Sequence, residues 1–413
     1  MRRFDENATL DRLAVIGQID DALADELGRT VAAAHETSPC VDSELWIAAL
    51  GNFLTQNDAA FRSMRDVFPI EQVIELDQAS RETLTRLRPL ILKRGQNGFV
   101  RRCHGDLHLG NIAMIGGKPV MFDAIEFDPQ VAAGDVLYDL AFLLIDLFGR
   151  GLHNAANIVF NRYLTEAKRS ENLDGLAALP LYLSLRAAIR AKVTAARLQQ
   201  ADTDCQLITD NARGYFRLAA QAIQPATSTL IAIGGLSGTG KSVLASALAP
   251  HVSPIPGAVL LRSDVERKTI QGIRENERLS PSAYTAEASA RTYEALAQKA
   301  RRVLSAGHSV IVDAVFGQLK QRNDIEAIAR SCKTSFHGFF LVADLATRTR
   351  RVGARAIGAS DADQAVARAQ EKYDLGAIDW TYLNASGELE NLITHTRDAL
   401  STRGHIASPN FLG

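Results

Sequence analysis

Residues 235–242 read Gly-Leu-Ser-Gly-Thr-Gly-Lys-Ser, and this motif indicates the fold of the half of the chain that contains it. It fills every fixed position of the pattern G-x-x-x-x-G-K-[ST], between an apolar β-type run, Thr229–Ile233, and a helix-type run, Val243–Ala249. In such a strand–loop–helix unit, glycines let backbone N–H groups turn inward around a polyphosphate, and the helix N-terminus adds the positive end of its dipole. The pattern therefore predicts a binding site for a nucleoside triphosphate, with ATP as the expected nucleotide. We expect contacts from Gly235, Leu236, Ser237, Gly238, Thr239, Gly240, Lys241 and Ser242.

Catalytic roles follow from the residue types in and around this phosphate-binding loop (P-loop, residues 235–242). Lys241 is expected to reach the β- and γ-phosphates, and the hydroxyl of Ser242 is expected to bind Mg²⁺. Asp313 ends the apolar run Val310–Val312 and suits the acidic residue that orients the metal ion and its water. Asp264 ends the β-type run after the P-loop helix, where a carboxylate is placed to accept the proton of a substrate hydroxyl.

Arg267 lies about one helical turn after Asp264, and we expect it to hold an anionic group of the substrate. Glu266 is a weaker acidic candidate in the same segment. Asp264 and Asp313 each have an alternative role as the N-cap of the helix that follows. The sequence alone leaves both roles open.

A row of arginines follows later in the chain. Arg348, Arg351 and Arg355 share one face of a predicted helix, and this arrangement suits a lid that closes over transferring phosphates. Arg351 and Arg355 are therefore candidate catalytic residues. The alternative is a basic helix face that is simply solvated. The Ser360-Asp-Ala-Asp363 box predicts the start of the next helix.

Strands alternate with helices throughout this half of the chain, which predicts an α/β fold: a three-layer α/β/α domain with a parallel sheet. The predicted strands are Leu230–Ile233, Ala258–Arg262, Ser309–Val312, Ser335–Val342 and Trp380–Leu383.

The first half of the chain has a mostly helical pattern, interrupted by a short hairpin whose strands, Ile112–Ile115 and Pro119–Phe122, are joined by two glycines. A polar stretch over residues 224–228 reads as a linker. We therefore expect a helical domain over residues 1–223 and a P-loop domain over residues 229–413. The predicted helical segments of the first domain are Leu10–His35, Arg81–Leu92, Val136–Leu147, Ala155–Ala167 and Leu181–Gln199.

A second candidate site lies in the helical half. The segment His104–Asn111 contains the spacing D-x-x-x-x-N, in which an aspartate accepts a hydroxyl proton and an amide oxygen binds Mg²⁺. Asp106 is the candidate catalytic base. Asn111 precedes the first hairpin strand and Asp123 follows the second, so antiparallel pairing brings them to the same open end as candidate metal ligands.

The segment His104–Ile112, together with Phe122-Asp123 and Tyr138–Ala141, resembles the aminoglycoside phosphotransferase and choline kinase family over roughly residues 1–220. This resemblance implies a protein-kinase-like C-lobe with the same roles for Asp106, Asn111 and Asp123. It also implies that Asp139 braces the catalytic loop. Family members carry a further N-terminal lobe with a phosphate-contacting lysine, which this sequence lacks, so the resemblance leaves the activity of this half open.

Residues 229 to about 403 resemble small P-loop kinases such as gluconate kinase, adenylylsulfate kinase, polynucleotide kinase and zeta-toxin-like enzymes. The pairing of both halves resembles bacterial two-domain proteins that join a phosphotransferase-like domain to an ATP-binding domain. The resemblance implies MgATP as phosphate donor, without naming an acceptor.

Net charge and composition limit the classes of partner that we expect. A net charge of −1 over 413 residues gives no electrostatic reason to expect nucleic acid or a membrane surface as a partner. The four cysteines have no metal-ligand spacing, and neither a signal peptide nor a membrane span is predicted, so we expect a cytoplasmic protein. Its oligomeric state is not predicted. In the helix Leu181–Gln199, Arg186, Arg190 and Arg197 share a face that is either a solvent-facing stripe or an anion site.

Two functions remain in competition at this level. In the first, the P-loop half is a kinase that phosphorylates a small molecule or another hydroxyl acceptor with MgATP. In the second, the chain is an ATP-binding regulatory or scaffold protein that hydrolyses ATP slowly, and its helical half binds a ligand or partner without chemistry.

Overall fold

The computed structural model describes residues 5–125, 132–167, 169–200, 204–354 and 360–401. The chain divides between Pro225 and Ala226 into two compact units. The first is the N-terminal unit and the second is the P-loop unit. Among the described residues, no helix is both long enough and apolar enough to cross a membrane.

Helices make up most of the N-terminal unit, as the spacing of its apolar residues predicts. The continuous helix predicted over Leu10–His35 is wrong, because the chain breaks at Gly17, where φ is +69°. The N–H groups of Gly17 and Gln18 bond to the carbonyls of Ala14 and Leu13, which is how a glycine ends a helix. The helices are α1 (Leu10–Val15), α2 (Asp21–Thr37), α3 (Ser43–Ser63), α4 (Ile70–Gln96), α5 (Val136–Gly149), α6 (His153–Glu166), α7 (Leu179–Ala196) and α8 (Cys205–Ile223).

Short antiparallel strand pairs interrupt these helices. The predicted hairpin is present, with positive φ at both Gly116 and Gly117 in its two-residue turn, and its second strand begins one residue earlier than predicted. A second pair joins β1 to β4 and was not predicted, because strands of three residues are too short to show a period. The strands are β1 (Val100–Arg102), β2 (Ile112–Ile115), β3 (Lys118–Met121) and β4 (Ala133–Asp135).

Helix α5 forms the centre of the N-terminal unit. Its residues 136–147 are all buried, and it packs against α6 and α7. Two of these buried residues, Asp139 and Asp146, carry carboxylates. Because a buried charge needs partners, both carboxylates are expected to hold neighbouring backbone or side-chain donors.

The P-loop unit contains a five-stranded parallel sheet in the order β6-β7-β5-β8-β9. Each predicted strand is present, with ends shifted by at most two residues. The P-loop follows the central strand, and the carboxyl ends of β5, β6 and β7 lie side by side, which is where open α/β sheets bind ligands. The strands are β5 (Thr229–Gly235), β6 (Val259–Arg262), β7 (Val310–Asp313), β8 (Ser335–Val342) and β9 (Thr381–Asn384).

Helices cover both faces of this sheet. The chain passes from β5 over β7 to reach β6, and later from β7 over β5 to reach β8. Since such crossovers are right-handed, opposite directions place the connecting helices on opposite faces. Consistent with this, α9 packs with α15 and α11 packs with α12. The helices are α9 (Lys241–Leu248), α10 (Ser263–Gln271), α11 (Ala286–Ser305), α12 (Leu319–Ser331), α13 (Leu345–Gly353), α14 (Gln364–Ala369) and α15 (Leu389–Ser401).

The predicted start of α14 is corrected by the structure. Asp363, not Ser360, is the N-cap, and its Oδ1 accepts the N–H of Val366 at 2.9 Å. The sequence pattern places Asp363 three residues after the cap, but an aspartate directly before the first helical residue satisfies the same donors itself.

Candidate functional site

Glycines of the P-loop are required by its backbone and by its neighbours. Gly235, Gly238 and Gly240 have φ of 138°, 86° and 94°. A Cβ atom on Gly235 would lie 2.6 Å from the carbonyl oxygen of Leu341, and one on Gly238 would lie 2.5 Å from that of Arg348. The loop therefore adopts a conformation and a close approach that other residues do not allow.

Helix α9 starts directly after this loop. Its N-cap is Gly240, and no side chain of the described residues caps it. The first N–H groups of the helix thus remain directed out of its N-terminus, where an anion is stabilised by both hydrogen bonds and the helix dipole. The ammonium group of Lys241 lies over the loop and donates to the carbonyl of Leu236 at 3.2 Å.

Ser242, in the first turn of α9, contacts Asp313, the last residue of β7. The hydroxyl of Ser242 donates to Oδ2 of Asp313 at 2.5 Å, and Asp313 pairs in register with Ile233, just before the P-loop. Asp313 is 4% exposed. A hydroxyl and a buried carboxylate are oxygen donors of the kind that Mg²⁺ prefers, so these two residues fit the predicted metal site.

Asp264 is the second residue of α10 and is half-buried beside the same strand ends. The N-caps of α10 and α12 are Arg262 and Gln318, so the alternative that Asp264 and Asp313 serve as N-caps is wrong. Burial raises the pKa of Tyr293 to about 12, and the charges of Asp264 and Asp313 act in the same direction. The two carboxylates therefore act electrostatically on one hydroxyl.

Arg267 is buried and already bonded within the protein. Its Nη1 donates to the carbonyl of Ala283 at 2.6 Å, and its guanidinium lies 5.0 Å from the ring centre of Tyr284. Glu266, the weaker acidic candidate, is buried in an ion pair with Lys299 at 2.5 Å. Glu266 thus has a structural partner, while the substrate role of Arg267 stays a prediction.

Arg348 does not belong to a lid over phosphates, and that prediction is wrong for this residue. It is 1% exposed, its Nε donates to the carbonyl of Ser237 at 2.9 Å, and Nη2 donates to that of Ala367 at 2.9 Å. It also forms an ion pair with Glu371. The alternative of a solvated face is equally wrong, because Arg348 is part of the support of the P-loop.

Arg351 also contacts backbone around the loop. Its Nη1 donates to the carbonyl of Ala385 at 2.7 Å and lies 3.5 Å from that of Thr239. Arg351 therefore bridges the P-loop and the segment after β9. Arg355 lies outside the described residues.

Other polar residues support the site and were not singled out as site residues from the sequence. The side-chain oxygen of Gln370 accepts the N–H of Ser237 at 2.7 Å. Asp361 accepts the hydroxyl of Tyr284 at 2.9 Å and pairs with the buried Lys268 at 3.0 Å. These contacts join segments far apart in sequence, so no local spacing could reveal them.

In the N-terminal unit, the predicted aspartate loop is compact. The amide nitrogen of Asn111 donates to Oδ2 of Asp106 at 3.0 Å, and Nε2 of His108 lies 3.4 Å from the same oxygen. Because Nδ1 of His108 accepts the N–H of Gly110, a neutral ring carries its proton on Nε2, facing Asp106. The hydrogen bond from His108, followed by that from Asn111, lowers the pKa of Asp106. Asp106 is thus held as a carboxylate.

Asp139 braces this loop from helix α5, as the family resemblance implied. Its Oδ1 accepts the N–H of Gly105 at 2.9 Å and its Oδ2 that of His104 at 3.3 Å. Oδ2 also lies 3.2 Å from Nε2 of His35. Burial raises the pKa of Asp139, but the hydrogen bond from His35 and the charge of Arg186 outweigh it, so the pKa lies below its usual range.

Arg186 belongs to this brace, and both predictions for its helix face are wrong for this residue. It is buried, lies 3.6 Å from Oδ1 of Asp139, and sits 3.9 Å from the ring centre of Tyr138. Arg190 is within 4.0 Å of the buried Asp146, so the predicted stripe points partly into the core. The sequence could not show this, because α7 is apolar on its other faces as well.

Asp123 lies at the open end of the hairpin, where Phe122 donates its N–H to the carbonyl of Asn111 at 3.0 Å. Asp123 is exposed and has φ of +59°, a conformation that non-glycine residues rarely adopt. Strained backbone of this kind is concentrated at functional sites. The structure thus brings Asn111 and Asp123 to one end of the hairpin.

Two family models match separate parts of the chain. Residues 8–179 match the family described as "Phosphotransferase enzyme family", and residues 230–374 match the one described as "AAA domain". The first match contains the aspartate loop, and the second contains the P-loop with Asp264 and Asp313. The chain therefore carries a phosphotransferase-family domain and a P-loop kinase-like domain, which confirms the resemblance drawn from the sequence.

Similar proteins include uncharacterized proteins of Mycobacterium tuberculosis and Mycobacterium bovis, each 27% identical over an alignment of 388 residues that covers 91% of this chain and 76% of the relative. Among solved structures, the gluconokinase from Sinorhizobium meliloti matches 44% of this chain and 98% of its own, with 17% identity and a TM-score of 0.30. The APS kinase of Mycobacterium tuberculosis in complex with AMPPNP and APS matches 43% of this chain and 99% of its own, with 19% identity and a TM-score of 0.33.

Proposed function

We propose that the P-loop unit transfers the γ-phosphoryl group of MgATP to a hydroxyl group of a small molecule. The single observation that carries this proposal is the 2.5 Å contact between Ser242 and Asp313 beside the open N-terminus of α9. It combines a metal-binding pair with a phosphate cradle on adjacent strand ends. Phosphoryl transfer needs mainly such positioning and charge neutralisation.

In the proposed reaction, the acceptor oxygen attacks the γ-phosphorus in line with the bridging oxygen of ADP. The bond from the acceptor oxygen to phosphorus forms, the bond to the bridging oxygen breaks, and Asp264 takes the acceptor proton. Lys241 neutralises charge on the β- and γ-phosphates. Ser242 and Asp313 are the residues that would hold Mg²⁺, which neutralises phosphate charge when bound.

The N-terminal unit supports a second candidate activity of the same class. Asp106 is ionised, and the amide nitrogen of Asn111 donates a hydrogen bond to it. The amide oxygen of Asn111 therefore points away from Asp106. Asn111 and Asp123 are the proposed metal ligands there, and Asp106 is the proposed base. The competing proposal for this unit is ligand binding without chemistry, as part of an ATP-binding regulatory protein.

These functions are distinguished by measuring the release of ADP from MgATP in the presence of each metabolite of a panel. We expect acceptor-stimulated turnover in the wild type, loss of it in Lys241→Ala, and a fall of about 100-fold or more in Asp264→Asn, since general-base catalysis contributes that much. Asp324→Asn is the matched control, because Asp324 is an exposed aspartate paired with Lys320 in the same unit.

The outcomes separate the alternatives. Unchanged stimulated turnover in Asp264→Asn contradicts its role as base. Slow hydrolysis that no metabolite stimulates favours the regulatory protein. Loss of stimulated turnover in Asp106→Asn, with Lys241→Ala still active, moves the transfer to the N-terminal unit.

A further inference from the structure

Arg262 is the last residue of β6 and faces the proposed metal pair. It lies in register with Asp313 on the neighbouring strand, and its Nε is 3.6 Å from Oδ2 of Asp313. Nη1 lies 3.8 Å from Oε1 of Glu275. Both distances exceed a hydrogen bond, so two carboxylates attract this guanidinium without binding it closely.

The Nε atom of Arg262 is buried without a hydrogen-bond partner among the described residues. Two buried arginines, by contrast, are closely bonded: Arg94 binds Asp135 through two bonds of 2.6 and 2.8 Å, and Arg322 donates to three backbone carbonyls. A buried donor left unpaired is unfavourable and rare in native proteins. Arg262 therefore has donor capacity that the folded chain does not use.

The position of Arg262 indicates what would use this capacity. It precedes Asp264 by two residues, and its strand neighbour Asp313 bonds to Ser242 at the start of α9. The guanidinium thus lies beside the proposed metal pair, on the segment that leads into the proposed base. A transferring phosphoryl group passes through this region, and its oxygens accept forked N–H donors.

We propose that Arg262 is a catalytic residue that binds the oxygens of the phosphoryl group during transfer. The inference rests on the kinase activity proposed above. As the bond from the bridging oxygen breaks and the bond to the acceptor oxygen forms, charge on the phosphoryl oxygens is met by the guanidinium, which takes up no proton. Glu275 and Asp313 hold the side chain nearby before the nucleotide arrives.

The test uses the full-length chain, with MgATP and water as the acceptor, so that no acceptor need be known. In Arg262→Gln we expect the rate of hydrolysis to fall by about 100-fold or more, which is the effect expected when one transition-state donor is lost. The affinity for MgADP, measured by calorimetry, should stay within about twofold, while added aluminium fluoride should no longer tighten binding. Arg262→Ala should regain rate when guanidinium ions are supplied. Arg330→Gln, an exposed arginine paired with Glu326, is the matched control.

Several results overturn the inference. Equal hydrolysis and equal aluminium fluoride binding in Arg262→Gln and wild type leave the kinase proposal standing and remove Arg262 from it. A higher requirement for Mg²⁺ with an unchanged saturating rate makes Arg262 a support of Asp313 only. Wild-type protein that does not bind MgATP removes both proposals together.

Discussion

At Gly238 the P-loop backbone approaches another backbone most closely. Gly238→Ala combines a left-handed φ with a Cβ atom 2.5 Å from the carbonyl of Arg348, so we expect it to destabilise the P-loop unit by about 2–5 kcal/mol and to abolish ATP binding. Gly307→Ala is the matched control, because Gly307 has φ of +78° but open space around it, and it should cost about 1–2 kcal/mol. Denaturant unfolding and ATP calorimetry measure both; equal losses would contradict the close approach.

Asp139 shows how one buried carboxylate holds a loop. Asp139→Asn removes the charge that faces His35 and Arg186, and we expect a loss of about 3–5 kcal/mol in the N-terminal unit. Asp58→Asn, which breaks an exposed surface pair with Arg62, should leave the stability of this unit nearly unchanged.

The contribution of Asp139 to stability should depend on pH. Because the pKa of Asp139 is lower in the folded chain, its stabilisation is present above the unfolded pKa of about 3.9 and is lost as pH falls through the folded pKa. Unfolding measured from pH 7 to pH 3 should thus show a steeper loss in wild type than in Asp139→Asn. Parallel curves would show that Asp139 is not ionised in the fold.

Some residues of the candidate site can be predicted from the sequence, and others cannot. Ser242 lies in a consecutive motif and Asp313 at the end of an apolar strand, so both could be recognised before their contact was seen. Arg262 and Gln370 act through segments distant in sequence, and nothing in their local pattern marks them. The sequence predicts that Arg348 belongs to a row of arginines on one helix face, but its burial depends on tertiary packing.

At the level of elements, α13 supports the P-loop through Arg348. Arg348→Gln removes the donors to Ser237 and Ala367 and the pair with Glu371, so we expect about 3 kcal/mol less stability and weaker ATP binding. Arg350→Gln is the matched control, because Arg350 lies on the exposed face of the same helix. Thermal unfolding with and without ATP measures both variants. ATP affinity unchanged in Arg348→Gln would separate α13 from the nucleotide site.

Elements were predicted well where their apolar period is long. The strands of the P-loop unit and the helix α5 appear close to their expected bounds, because burial on one or both sides leaves a clear pattern. The pair β1–β4 and the break at Gly17 were missed. Three-residue strands carry no period, and a glycine inside an otherwise helical run is often tolerated.

Across the whole molecule, the sites that we propose in the two units have related chemistry. Each unit has its own buried core and its own bonded aspartate: Asp106 accepts a hydrogen bond from the amide nitrogen of Asn111, and Asp313 accepts one from the hydroxyl of Ser242. The units differ in the groups that could bind phosphate. The P-loop unit has a glycine loop, a lysine and a helix N-terminus, whereas the described part of the N-terminal unit has the aspartate loop. This difference is why we propose the nucleotide site in the P-loop unit.

Ligand-dependent unfolding tests that assignment in the intact chain. A ligand present at 100 times its Kd stabilises the unit that binds it by about 2.7 kcal/mol, or roughly 5–10 °C for a unit of this size. We expect MgATP to raise the unfolding temperature of the P-loop unit alone, in wild type and in Asp106→Asn, and to have no effect in Lys241→Ala. Scanning calorimetry of the three proteins measures this, with MgCl₂ alone as the control. A shift that survives Lys241→Ala, or one that disappears in Asp106→Asn, would place the nucleotide in the N-terminal unit, because only a ligand bound there responds to that aspartate.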